Sequence, residues 1–189
     1  MSLPPSKKFG SIAMKLDSER IYLKPLSLEE LDGGYVNWLN DPDVCKYNSH
    51  GSVIYTREMA IKYIRSLQED STREVWATYL KEGNIHIGNI SLQCIDKKNN
   101  NAEIAYLFGE KCYWGKGYAH EASKLLINRA FSELRLHRLY FGTHYENIAM
   151  QKLGEHLGFL REGVMRDSQF KNGKYNDVVI YGLVSSLLS

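Results

Sequence analysis

Three strand-like runs stand back to back in the middle of the chain, and that succession restricts the fold more than any other feature. Val75–Leu80 and Ile85–Ile90 are rich in β-branched and aromatic residues, and Glu82-Gly83-Asn84 between them is a tight-turn sequence. Ala102–Phe108 follows the turn-prone Lys97-Lys98-Asn99-Asn100-Asn101. Runs joined this tightly pair antiparallel, because a parallel partner needs a long crossover. An antiparallel meander therefore forms the centre of the sheet.

The flanking segments alternate between the two hydrophobic periods. Ile21–Leu23 reads as a short strand closed by Pro25, and Ser27 with Glu30 forms a capping box that opens a helix over 28–39, broken at Asn40-Asp41-Pro42. Thr56 caps a second helix over 57–69, striped by Met59, Ile61, Ile64 and Leu67. After the meander come a helix over 118–132 with Ala119, Ala122, Leu126 and Ala130 on one face, a strand over 136–141, and a helix over 147–157 stopped by Gly158. Two strands, 159–167 and 175–184, flank the turn Lys171-Asn172-Gly173-Lys174. The order β, α, α, β, β, β, α, β, α, β, β predicts an α+β fold: a mixed, mainly antiparallel central sheet flanked by helices, not a doubly wound βαβ array. Residues 1–19 read as a loose leader, and 20–189 as one domain.

Composition narrows the partners. Of 189 residues, 43% are hydrophobic, enough for a core of that size, and 24 basic against 22 acidic residues leave a charge of +2. So even a balance supplies no field for a nucleic acid or an anionic membrane surface. No apolar stretch is long enough to span a bilayer. Cys45, Cys94 and Cys112 are too few and too scattered for a disulfide framework or a CxxC site, which points to a reducing cytoplasm. His120-Glu121 lacks the second histidine of a zinc helix, since Lys124 stands in its place, so no metal is expected.

The most chemically suggestive segment is Trp114-Gly115-Lys116-Gly117, between a strand and a helix. A phosphate loop of the G-x-x-x-x-G-K-[ST] type is excluded because Lys116 lies between the glycines with no Ser or Thr after it; a G-x-G-x-x-G dinucleotide loop is excluded because the third position is His120. What remains is a helix N-terminus whose backbone N–H groups, left open by residues without bulk, suit a pyrophosphate.

Trp114-Gly115-Lys116-Gly117-Tyr118-Ala119 followed by Glu121-Ala122 resembles the pyrophosphate loop of the GNAT N-acetyltransferase superfamily, in the branch of Rim-type protein N-terminal acetyltransferases and spermidine acetyltransferases. Arg20–Leu26, Trp38–Val44, Ala102–Tyr106, Asn147–Phe159 and Asn172–Asp177 resemble, in order, further segments of that branch. The resemblance implies acetyl-CoA as donor, direct attack of a primary amine on the thioester, and a cytoplasmic monomer or homodimer. It implies that Trp114, Gly115, Lys116, Gly117, Tyr118 and Ala119 hold the CoA pyrophosphate, that Asn147 meets the pantetheine arm, and that Lys152 lies near the phosphates.

The resemblance further implies that the strand ending near Leu107 is splayed from its neighbour, with the Leu107 N–H as oxyanion donor. Glu103 is the candidate base. The proton donor to the thiolate is missing, because Met150 and Gly154 occupy positions where relatives carry Ser or Tyr; Tyr145 or a water is left for that task. Gly154, costly inside a helix, implies a close approach to the backbone there. Tyr47, Asn48 and His50 are the candidate acceptor contacts. The acceptor is a protein N-terminus, a small amine or an amino sugar; the alternative is a non-catalytic acyl-CoA-binding sensor or interaction domain of the same fold.

Overall fold

The computed structural model describes residues 14–51 and 53–187. An eight-stranded sheet runs in the order β1-β2-β3-β4-β5-β6-β8-β7. Its strands are β1 (Leu16–Asp17), β2 (Ile21–Pro25), β3 (Glu74–Leu80), β4 (Ile85–Asp96), β5 (Asn101–Phe108), β6 (Arg138–His144), β7 (Leu160–Lys171) and β8 (Lys174–Val184). Every neighbouring pair is antiparallel except β5 and β6. That one parallel pair is joined by a helical crossover, the connection a parallel pair requires. The meander is β3-β4-β5.

Helices α1 (Tyr35–Trp38), α2 (Arg57–Ser66), α3 (Tyr118–Asn128) and α4 (Ile148–His156) cover both faces of the sheet. Ile21, Leu23, Ile90, Leu92 and Ile104 point to one face and bury Ala122, Leu126 and Ala130 from α3 and its continuation, with Leu153 of α4 packed beside them. Small residues on α3 let it approach the sheet closely. On the other face Ala77 and Tyr79 meet Leu31, Tyr35 and Trp38, together with Ala60 and Ile64 of α2.

Four boundaries differ from the sequence expectation for physical reasons. Part of the segment expected as a loose leader over 1–19 is strand, because Leu16 and Asp17 pair with Leu23 and Tyr22; residues 1–13 lie outside the described residues. The capping box is present, with Ser27 N–H donating to Glu30 at 2.7 Å, but the helix over 28–39 is two pieces, a 3₁₀ turn at Leu28–Asp32 and α1. Gly33-Gly34 separates them. Glycine costs about 1 kcal/mol in a helix, and a Cβ on Gly34 would lie 2.6 Å from the Trp38 Nε1. The third helix ends its α-helical stretch at Asn128 and continues as a π-turn over Arg129–Glu133, where buried Arg129 pairs with Glu74 at 2.7 Å. The strand expected over 136–141 is shifted to Arg138–His144, and its last residues pair with β8, Gly142 with Ile180 and His144 with Val178.

Candidate functional site

The parallel register of β5 and β6 consists of Asn101 with Arg138, Ala102 with Leu139, and Glu103 with Tyr140, and then stops. Beyond it β5 pairs only with β4, and β6 only with β8, so the two strands diverge over their last residues. The expected splay is present. A cleft of about 1320 Å³ opens at it, lined by both diverging strands, the Trp114–Ala119 loop, α4, and the segment 43–49.

Hydrogen-bond parity decides which backbone groups face the opening. Gly109 N–H donates to Ile87 O, so the bonded pairs of the antiparallel β4–β5 register fall on odd residues of β5, Leu107 with Asn89 among them. On the other parity, Asn100 O accepts from Arg138 N–H and Phe108 O accepts from the Trp114 indole at 2.9 Å. Ile104, Tyr106 and Phe108 therefore present their backbone to the opening. Leu107 does not: its amide turns to β4, and its side chain packs in the α1–α2 core.

The glycine loop has the expected form. Gly115 and Gly117 take φ of 72° and 83°, the left-handed region that glycine enters without a Cβ penalty. Gly117 is the N-cap of α3 and offers no side-chain cap; the first bond of the helix is Glu121 N–H to Gly117 O at 3.0 Å. The N–H groups of Tyr118, Ala119 and His120 are thereby left open at the positive end of the helix. Trp114, Gly115, Gly117, Tyr118 and Ala119 line the cleft. Lys116 is not among the lining residues; its ammonium lies over the Tyr113 ring and its carbonyl accepts from Arg20. Arg20 also pairs with Glu121 at 2.7 Å, tying β2 to the first turn of α3 behind the loop.

Glu103 lines the cleft half-buried, and burial alone pushes its carboxyl above the ordinary value, with no ion pair to lower it. Asn147 lines the cleft and also caps α4, accepting from Met150 N–H at 3.3 Å while donating to Thr143 Oγ1 at 3.0 Å. Lys152 lines the same wall. Of the acceptor candidates, Tyr47 and Asn48 line the cleft; His50 does not, its ring being bonded to Tyr55 OH at 2.9 Å and held below its ordinary pKa by burial. Tyr145 and the exposed Cys112 lie outside the lining.

The absence of a side chain at position 154 has a structural explanation. A Cβ on Gly154 would lie 2.4 Å from Phe141 Cζ, and that ring is wedged between Phe159 and Tyr181 at centroid distances of 5.1 and 5.0 Å. Phe141 fills the space a side chain at 154 would need. Gly154→Val is expected to destabilise the fold by about 2–3 kcal/mol through overpacking, read as a lower denaturation midpoint with an unchanged m-value.

Sequence reasoning missed Thr143, His144 and Gln169, all of which line the cleft. The first two follow from extending the strand before Asn147 by three residues. The buried His144 accepts from Glu146 N–H at its Nδ1, 3.1 Å away, which assigns the ring proton to Nε2, and its ring lies 5.2 Å from that of Tyr47. Gln169 carries no local signal.

A family model described as Acetyltransferase (GNAT) domain matches residues 20–160. The chain belongs to the GNAT acetyltransferase family. Its relatives include the N-acetyltransferase p20 of Bacillus licheniformis, 34% identical over 172 residues, covering 89% of this chain and 95% of that one. YdaF, a candidate ribosomal N-acetyltransferase of Bacillus subtilis (strain 168), is 38% identical over 97 residues, covering 51% and 52%. Among solved structures, the spermidine N-acetyltransferase of Vibrio cholerae in complex with CoA and spermine superposes with a TM-score of 0.81 at 22% identity, covering 88% of this chain and 96% of that one. This GNAT chain is an acyltransferase that moves an acetyl group from acetyl-CoA to an amine. Among its described residues no helix is long and apolar enough to cross a membrane.

Proposed function

We propose that this acetyltransferase acts on the α-amine of a peptide or protein N-terminus, with Glu103 as the base. The observation that carries the reading is the charge of the cleft. Two carboxylates line it, and one of them, Asp43, is bound by Lys111 at 2.8 Å, which leaves Glu103 alone unpaired. Lys46 and Lys152 line the same space. A polyamine, with several ammonium groups, needs several free carboxylates; a single amine beside carbonyl groups needs one, together with hydrogen-bond donors such as His144 Nε2–H. YdaF, by its name, has a ribosomal acceptor, in keeping with this class.

The geometry supports the following roles. Gly115, Gly117 and the open N–H groups of Tyr118 and Ala119 receive the pyrophosphate of acetyl-CoA, with Lys152 adding positive charge from α4 and Asn147 meeting the pantetheine arm. The backbone groups of the splayed β5 pair with the pantetheine amides. Glu103 takes the proton of the ammonium, directly or through water, and frees the lone pair that attacks the thioester carbonyl. The amides of Tyr106 and Phe108, facing the opening, donate to the carbonyl oxygen as it gains charge. Neither Met150 nor Gly154 donates a proton to the departing thiolate; a thiol of pKa about 8–9 leaves tolerably without one as the C–S bond breaks, and the second proton of the attacking nitrogen passes to water or to the freed thiolate. A cytoplasmic setting suits three cysteines that remain unpaired.

The test is thiol release from acetyl-CoA with short peptides bearing free N-termini, spermidine, and a nucleotide-linked amino sugar. Peptides are expected to exceed spermidine at least tenfold in kcat/KM. A preference for spermidine or for the amino sugar would overturn the acceptor class.

A further inference from the structure

We propose that Lys171 is a positioning residue for the acceptor side of the cleft, latching the segment 45–50, and that Gln169 beside it contacts the acceptor. Lys171 ends β7 at the β7–β8 turn. Its ammonium donates to Cys45 O at 2.6 Å, Asn48 O at 2.6 Å and His50 O at 2.8 Å. All three donors of the ammonium are used, each on a carbonyl, and no carboxylate lies within ion-pair distance of it among the described residues. The captured segment forms neither helix nor strand. Its three carbonyls converge on that one ammonium.

The consequence for the site is direct. The same six residues place Tyr47 and Asn48 on the cleft wall, Tyr47 against the ring of His144. The hairpin that carries the lysine is itself clamped: Asn176 Nδ2 donates to Gln169 O, Lys171 O and Lys174 O at 3.3, 3.4 and 3.1 Å. The residues just before the segment are tethered by Lys111 to Asp41 and Asp43, ion pairs near the surface that contribute little by themselves. Within 44–50 Asn48 Nδ2 donates to Val44 O at 3.2 Å and His50 N–H to Asn48 Oδ1 at 2.9 Å, and Lys171 is what joins the segment to the β7–β8 hairpin.

Gln169 supplies the second observation. It lines the cleft two residues before Lys171, and its Oε1 is buried without a hydrogen-bond partner among the described residues. A buried amide oxygen without a donor is unfavourable. An acceptor entering the cleft supplies the missing N–H once the terminal amide of Gln169 turns its Oε1 toward the opening. A lysine suits the latch better than an arginine, since an ammonium directs three donors to converging carbonyls whereas a guanidinium is planar.

This subsite rests on the amine-acetylating reading above, and the experiment separates the two. Lys171→Met, Lys171→Arg and Gln169→Leu are made in the full chain, and thiol release is followed with acetyl-CoA and a hexapeptide bearing a free N-terminal serine. Hydrogen exchange of residues 44–50 is measured alongside. Lys171→Met is expected to raise the peptide KM at least tenfold with kcat and the acetyl-CoA KM within about threefold, and to accelerate exchange in 44–50 at least tenfold; Lys171→Arg falls between. Gln169→Leu is expected to raise the peptide KM about tenfold without lowering the melting temperature, because removing an unpaired buried oxygen costs the fold nothing.

Unchanged exchange in 44–50, equal rises in both KM values, or an unchanged peptide KM in Lys171→Met and Gln169→Leu overturns the proposal. If the wild type acetylates another amine and not the hexapeptide, the peptide reading fails, and the same ratios measured with that amine decide the subsite. If it acetylates none, exchange decides: acceleration in 44–50 by Lys171→Met supports the latch, and its absence overturns it.

Discussion

Replacing Glu103 by glutamine is expected to lower kcat/KM by about 10²–10⁴, the range by which a positioned general base contributes, while leaving acetyl-CoA affinity within twofold. Glu103 is the unpaired carboxylate lining the cleft, and burial alone raises its pKa. In the wild type the rate should climb with pH through that raised pKa as the carboxylate forms. The variant should lose this limb and retain the one set by the free amine of the acceptor. A wild-type limb preserved in Glu103→Gln would remove the residue as base.

The same group makes a separable prediction for stability. A carboxyl whose folded pKa lies above its ordinary value, 4.5, holds its proton more tightly in the folded state than in the unfolded one. Its contribution is therefore favourable at pH below 4.5 and is lost as the pH rises through the raised pKa. Glu103→Gln removes that loss. Thermal melts should find the variant at least as stable as the wild type at pH 8, with the advantage shrinking on acidification. An activity defect accompanied by a gain in stability at high pH is the signature of a functional carboxylate held at a cost to the fold.

The second large effect is expected at Gly117. Its φ of 83° lies where a side chain pays about 1–2 kcal/mol, and a β-branched one more. A valine there must either hold that strain or turn the backbone, and turning it re-aims the open N–H groups of Tyr118 and Ala119. Gly117→Val is expected to weaken acetyl-CoA binding about tenfold to a hundredfold, a loss of about 1.4–2.8 kcal/mol, read by calorimetry. The helix itself should persist, since Tyr118 onward is unaltered. Wild-type affinity in this variant would show that the loop does not hold the pyrophosphate. Gly115, at φ 72° with open space around it, provides the comparison: the same substitution meets strain there but no neighbour.

Much of the fold was legible because local period and punctuation encode it. The hairpin of β3 and β4, the capping box of Ser27 and Glu30, and the stop at Gly158 each rest on residues a few positions apart, and each is in the structure. The glycine loop was legible for the same reason, as two small residues ahead of an apolar helical stripe. The close approach inferred from the cost of Gly154 is also present, with Phe141 as the intruding group. Where local signals misled, tertiary packing had overruled them. The helix expected over 28–39 yields at Gly33-Gly34 so that Trp38 can seat against Gly109, where a Cβ would lie 1.9 Å from the indole.

Leu107 marks the boundary between the two kinds of information. Its place near the end of the central strand could be read from the sequence, but the direction of its amide depends on which residue of β4 lies opposite, and register has no trace in the strand's own residues. His50 was placed near the acceptor by position; its ring turns to Tyr55 and only its carbonyl serves the latch. Gln169 and Lys171 were invisible for a plainer reason. The contact from Lys171 to His50 spans 121 residues and ends on a backbone carbonyl of an irregular loop, which any residue could offer.

By itself, then, the sequence determined the order of elements, the glycine loop ahead of α3 and the carboxylate on the central strand, because each is written in residues close together along the chain. Only the tertiary structure decided where β5 and β6 part, which amides face the opening, and which distant lysine holds the acceptor wall, because these depend on register and on long-range contacts that leave no periodic pattern behind.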